Sequence, residues 1–200
     1  MRIFKTLFHT LKFFLRIEES DTQLTLGKIA LIKKYAQNKQ RCVEIGVYEG
    51  TTTCVIAKSM APNGVLFAID PFFRGKLSIC WGKIIAKAHL KRSGVYQKVK
   101  LIEKLSYKAT SDVGQDLDFC FIDGDHRLKT FRRDWNDWSR KIKKDSYIAL
   151  HDIAFTSEIQ QRNPNAVRFL QDIPGFGSTG FGSTFELVEQ VVSLAIFKRK

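Results

Sequence analysis

Short apolar runs alternate with longer stretches of helical period through most of this 200-residue chain. Five runs read as buried strands: Cys42-Val43-Glu44-Ile45, Val65–Ile69, Val99–Ile102, Asp116–Ile122 and Tyr147–Leu150. Helical patterns separate them. Leu24–Ala36 carries Leu26, Ile29, Ile32 and Ala36 at roughly helical spacing, with Ser20 or Asp21 available as a cap. Thr51–Met60 follows the first strand, and Trp81–Lys91 precedes the third. A long helix after His126 places Phe131, Trp135, Trp138 and Ile142 on one face and ends at a Lys144-Asp145 turn. Strands and helices alternating at this period predict an α/β fold with a parallel, doubly wound sheet. The tail breaks the rhythm: Phe185–Val188 and Val191–Phe197 read as a hairpin joined by a tight Glu189-Gln190 turn.

Two segments stand outside this alternation. Residues 3–17 are amphipathic, with Ile3, Leu7, Leu11 and Phe14, and beside them Phe4, Phe8 and Leu15, on one stripe; Lys5, Lys12 and Arg16 lie off it. Lys5, His9 and Lys12 interrupt the apolar residues, so no run spans a bilayer or serves as a secretory core. Such a helix either lies on an anionic membrane or packs on its own domain or a partner chain, and the packed arrangement is preferred. Near the tail, Gly175-Phe176-Gly177-Ser178-Thr179 is repeated at once as residues 180–184. The repeat predicts a loop with two aromatic handles, either closing over a substrate or simply connecting elements.

The candidate chemistry starts at Arg41–Met60. A buried strand ends in Glu44-Ile45-Gly46, a tight turn leads to Gly50, and Thr51-Thr52-Thr53 opens a helix they are expected to cap. One glycine allows an unusual backbone angle and the other close approach of a ligand. Glu44 stands at the carboxyl end of its strand, where open α/β sheets place ligands. The spacing is Glu-x-Gly-x-x-x-Gly, and its acid suits a positively charged ligand better than a pyrophosphate. Asp70, ending the second strand, lies about 20 residues beyond the glycine turn, where ribose hydroxyls are read.

These residues resemble the class I S-adenosylmethionine-dependent methyltransferases, whose first motif has this form. The resemblance implies a Rossmann-like, mostly parallel seven-stranded sheet with a C-terminal antiparallel hairpin and extra N-terminal helices. The implied division is an N-terminal amphipathic helix over 1–22 and a methyltransferase domain over 23–200. Four strand ends deliver acids to one edge: Glu44, Asp70, Asp123 and Asp152. Like charges gathered there would repel unless cations sat among them. S-adenosylmethionine near Glu44 and Asp70, and a hard divalent ion near Asp123 and Asp152, would serve; oxygen ligands favour Mg²⁺ or Mn²⁺ over Zn²⁺.

FIDGDH after the fourth strand and IALHD after the fifth narrow the likeness. They resemble the metal-dependent small-molecule O-methyltransferases, the branch near macrocin O-methyltransferases and cephalosporin-hydroxylase-like proteins. That resemblance implies Asp123, His151 and Asp152 as metal ligands and His126 as the catalytic base, with Asp123 also at the reacting centre. It implies Glu44, Gly46, Gly50, Thr52, Asp70, Ser106 and Asp123 as cofactor-binding residues. His151 departs from relatives that have two acids at this pair, and equally suits a group that orients Asp152.

Composition changes the picture mainly through charge. The chain is 44% hydrophobic, which fits a globular protein of one domain, and carries a net +13. That charge implies an acidic partner: an anionic acceptor, a membrane face or nucleic acid. Arg127, Lys129, Arg132 and Arg133 follow the DGDH motif, so a sugar, glycan or other small-molecule acceptor carrying an anionic group is expected. RNA methylation is the rival activity, with no appended RNA-binding module or interleaved aromatics in its favour. A non-catalytic cofactor-binding or membrane-peripheral module is the third reading, and a homo-oligomer is a further expectation. Cys42, Cys54, Cys80 and Cys120 show neither disulfide nor metal spacing, which predicts a reducing, cytoplasmic setting, on the inner face of a membrane if residues 3–17 touch one.

Overall fold

A computed structural model of the chain describes residues 2–22, 24–75, 78–152 and 184–200. Two helices, α1 (Arg2–Phe14) and α2 (Leu26–Ala36), precede β1 (Arg41–Ile45), α3 (Thr51–Ser59), β2 (Val65–Ile69), α4 (Trp81–Arg92) and β3 (Val99–Ile102). Then come β4 (Leu117–Ile122), α5 (Leu128–Ser139), β5 (Ile142–Leu150), β6 (Phe185–Val191) and β7 (Leu194–Arg199). The seven strands form one sheet in the order β3-β2-β1-β4-β5-β7-β6. The first five are parallel, and β7 runs antiparallel between β5 and β6. Chain order reverses between β1 and β4, which opens a crevice at the carboxyl ends of the strands.

Both faces of the sheet are covered, so β4 is buried along its whole length rather than at alternate positions. Its side chains still alternate between two cores. Phe119 and Phe121 join Ile32, Ile56 and Leu90 from α2, α3 and α4. Cys120 and Ile122 join Phe131, Trp135 and Trp138 from α5. The cysteines are unpaired, and burial pushes the Cys42 and Cys120 thiols well above their ordinary range.

Several boundaries differ from those the pattern predicts, each for a physical reason. Thr25, rather than Ser20 or Asp21, caps α2 by accepting a hydrogen bond from the Lys28 amide. Ile142 does not extend the α5 face; it starts β5, which runs unbroken through the expected Lys144-Asp145 turn with Asp145 at φ 61° where the register slips. The tail hairpin turns at Val192-Ser193, three residues after the expected place, with Val192 at φ 53°. The repeat at 175–184 lies outside the described residues apart from Thr184.

The N-terminal helix packs on the domain, but with the wrong face for an ordinary amphipathic helix. Thr10 and Phe13 are buried, and Arg92 of α4 donates to the Phe13 and Phe14 carbonyls. Leu7, Phe8, Leu11 and Phe14, from the expected apolar stripe, face outward. Polar ties account for this orientation. His9 lies 2.9 Å from Glu18 and 3.1 Å from the buried Glu49, and Glu49 also accepts the Asp21 amide at 2.6 Å. Among the described residues no helix is long and apolar enough to cross a membrane.

Candidate functional site

Backbone pairing continues beyond the strands and brings their acidic ends level. The Asp123 amide donates to the Ile45 carbonyl at 2.8 Å, His151 to Ile122 at 3.0 Å, and Asp70 to Ile102 at 3.1 Å. Between these ends lies a pocket of about 640 Å³, within the size range of small-molecule sites. Gly46, Thr52, Asp70, Ser106, Asp123 and His126 line it, as does Thr22 from the segment after α1. Of the residues implied by resemblance, Glu44, Gly50, His151 and Asp152 stand outside this wall.

The glycine turn is built by steric exclusion and one carboxylate. Gly46 has φ 92°, and a Cβ there would come within 2.1 Å of the Asp123 carbonyl oxygen. A close approach between two strand ends therefore requires glycine here. Gly50 has φ 82° and is itself the N-cap of α3, without a side-chain cap, so the threonines do not cap this helix. Tyr48 holds φ 51°, unusual for a bulky residue. Asp70 fixes this conformation: Oδ2 accepts the Val47 and Tyr48 amides at 2.9 and 3.0 Å, and Oδ1 accepts Phe72 N at 2.7 Å. Here Asp70 organises the turn while still facing the pocket.

Glu44 is fully buried, and neither carboxylate oxygen has a hydrogen-bond partner among the described residues. Burial foremost, with the Asp123 and Asp70 charges, pushes its carboxyl well above the usual range; the Thr53 hydroxyl beside it pulls the other way. Burial thus favours the protonated form of Glu44, which sits behind the turn and does not line the pocket.

At the other end, His151 is 1% exposed and both ring nitrogens are engaged. Nδ1 donates to Asp123 Oδ1 at 2.8 Å, and Nε2 accepts from the Lys28 ammonium at 2.8 Å. Lys28 comes from α2 and is 5% exposed. Asp152 Oδ1 lies 3.5 Å from the same Nδ1. His126 Nε2 stands 3.7 Å from both Asp123 Oδ1 and Asp152 Oδ2, and its side chain is 40% exposed. The implied metal ligands Asp123, His151 and Asp152 are therefore neighbours, but His151 offers no free nitrogen. Among the described residues no set of three His, Cys, Asp or Glu side chains is arranged to hold a metal ion. This arrangement does not fit the implied divalent site: both His151 nitrogens are engaged, one with Asp123 and the other with Lys28.

The α5 side of the pocket contributes an acid and cations. The Ser106 hydroxyl makes a short hydrogen bond to Asp134 Oδ1. Asp134 is 1% exposed, and burial, against the pull of Ser106, raises its carboxyl to about 6. Lys129 and Arg133 line the pocket and also a neighbouring groove of about 450 Å³ that continues to Arg132 and Arg140. Arg133 lies over the Tyr107 ring, 3.6 Å from its centroid. Arg127 is instead committed to Asp125, whose carboxyl it holds down at about 2.

Lys28 and Asp134 escaped the sequence reading, although spacing marks both. Lys28 shares a buried helix face with Leu31 and Ile32, and Asp134 sits between Phe131 and Trp138 on the inward face of α5.

Residues 43–153 match the methyltransferase-domain family. None of the curated proteins matches the chain. Among solved structures, an O-methyltransferase from Bacillus cereus in complex with S-adenosylhomocysteine (SAH) has a TM-score of 0.68 at 14% identity, covering 98% of this chain and 91% of that one. The O-methyltransferase TomG from Streptomyces achromogenes, in complex with S-adenosylmethionine, has a TM-score of 0.65 at 12% identity, covering 97% and 89%. A protein from Clostridium thermocellum provisionally described as an rRNA methylase has a TM-score of 0.65 at 14% identity, covering 90% and 100%. At such identities the likeness shows a shared fold.

Proposed function

Since the chain belongs to the methyltransferase-domain family, we propose that it moves the methyl group of S-adenosylmethionine onto a hydroxyl of a sugar or other small molecule bearing an anionic group. One observation carries the reading: a pocket at the point where strand order reverses gathers the glycine turn, Asp70, Asp123 and His126. Its size suits an adenosyl ligand, and the Asp70 and Asp123 carboxyl groups in its wall suit a cationic one.

S-adenosylmethionine supplies a methyl already activated on a sulfonium centre. The chain's residues bind, align and handle one proton. The Gly46–Gly50 turn, held by Asp70, shapes the methionine and ribose side, and Ser106 with Asp134 shapes the adenine side. His126 takes the acceptor's hydroxyl proton on Nε2, with the Asp123 and Asp152 carboxylates stabilising the imidazolium. Lys28 and His151 keep Asp123 oriented. No step runs through a divalent ion, because the His151 nitrogens are taken. Lys129 and Arg133 receive the acceptor's anionic group.

Calorimetric titration with S-adenosylmethionine, followed by turnover on neutral and phosphorylated sugar acceptors, tests this reading. Binding that survives Asp152→Ala while turnover does not supports it. Absence of cofactor binding to the wild type refutes it. RNA methylation is the second reading, favoured by the groove along α5 with its run of cations. A salt-sensitive shift with RNA, without turnover on any small acceptor, would promote it.

A further inference from the structure

Six of the twelve large apolar residues exposed in the described structure fall between positions 7 and 17. Leu7 (44% exposed), Leu11 (53%) and Phe14 (43%) follow i, i+4, i+7 spacing, with Phe8 (58%) on the adjoining stripe and Leu15 (61%) and Ile17 (65%) just beyond the helix. Thr10 and Phe13, at 4% and 2%, mark the opposite, docked side. The helix is held in this orientation by the Arg92 bonds to its last carbonyls and by the contacts of His9 with Glu18 and Glu49. The apolar face is thus presented outward by a fixed scaffold.

Charge decides what covers it. Residues 2–17 contain Arg2, Lys5, Lys12 and Arg16 and no acid, in a chain of net +13. Cations stand at the edge of the apolar face: Lys12 Nζ, which also pairs with the half-exposed Glu18, is 4.7 Å from the Phe8 ring centroid, and Arg92 Cζ is 5.3 Å from that of Phe14. A second copy docked through the same face would bring like charges together. An anionic lipid surface meets both properties: headgroups take the cations, and the acyl boundary takes the leucines and phenylalanines. The helix is 13 residues long and lies on a membrane rather than crossing it.

From this geometry we infer that α1 is a membrane-docking helix that seats the protein on an anionic bilayer surface through Leu7, Phe8, Leu11 and Phe14. The inference rests on the placement of α1 and is independent of the methyl-transfer reading.

The test is co-sedimentation of the full chain with vesicles of phosphatidylcholine alone or mixed with phosphatidylglycerol. Wild type partitions at least about tenfold more strongly onto the anionic vesicles, and raised salt weakens that binding. The doubly substituted Phe8→Ser, Leu11→Ser protein loses the binding while its unfolding midpoint is unchanged, since both side chains are exposed. No binding by wild type overturns the inference. So does binding undiminished in the variant, which would make it a property of the general basic surface. A concentration-dependent dimer abolished by the same substitutions, without vesicle binding, overturns it in favour of a second copy.

Discussion

Asp134→Asn isolates what one buried acid costs the fold. Asp134 is 1% exposed, and its carboxyl rises from an ordinary 3.8 to about 6, with burial outweighing the Ser106 hydrogen bond. A rise of that size corresponds to ~3 kcal/mol between the two protonation states. Because the folded value lies above the unfolded one, the folded state favours the protonated acid. Its stabilising share is complete below 3.8 and is lost as pH climbs through about 6. Asparagine keeps the shape and the oxygen that accepts the Ser106 hydroxyl, and it never ionises. Wild type and variant should therefore converge in stability toward about pH 4, and the variant should be the more stable by roughly 2–3 kcal/mol at about pH 8. Urea unfolding of both proteins at a series of pH values, without cofactor, measures the gap, and contributions from other carboxylates cancel in the difference. A gap that does not change with pH, or a wild type more stable than the variant in alkaline buffer, refutes the reasoning.

His126→Ala should lower kcat by about 10²–10⁴ while leaving the cofactor dissociation constant unchanged in calorimetry, as expected for a residue that handles the acceptor's proton. A chelator should leave methylation of an identified acceptor unaltered, and Mg²⁺ titration should give no binding heat, because both His151 nitrogens are engaged. His9 responds to pH. Hydrogen bonds to Glu18 and Glu49 raise its value above the ordinary 6.5, so the α1 docking it supports is present below 6.5 and is lost as pH rises through the folded value. Hydrogen-exchange protection factors of residues 6–14, which divide out the intrinsic base catalysis, should accordingly fall in mildly alkaline buffer, and the double substitution Glu18→Gln, Glu49→Gln should remove most of that dependence. Gly46→Ala should abolish cofactor binding and cost several kcal/mol of stability, since the new methyl meets the Asp123 carbonyl; thermal unfolding with and without S-adenosylmethionine checks both effects.

The sheet was legible because its signal is local: β2 and β3 begin and end where their apolar runs do. Convergence of the four acids was legible too, because parallel strands must end on the same edge. How each acid is accommodated was not, since that depends on partners remote in sequence. Burial pushes the Glu44 carboxyl up, Asp70 accepts three backbone amides, and Asp123 meets His151, itself held by Lys28 from 123 residues earlier in the chain. A pattern that reads a row of carboxylates as a demand for external cations cannot see which partners the chain itself supplies. Which side of α1 meets the domain was not legible for a related reason: polar ties to Glu49 and Arg92, remote in sequence, fix it.

The position of β7 has a consequence for synthesis. This strand is laid between β5 and β6, and its Leu194, Ala195, Ile196 and Phe197 are fully or almost fully enclosed. β7 is made after both of the strands that flank it, and until it arrives β5 offers an open, unzipped margin to any other chain nearby. Truncation after Ser193 would remove this inserted strand and leave the β5 margin free to pair with other chains.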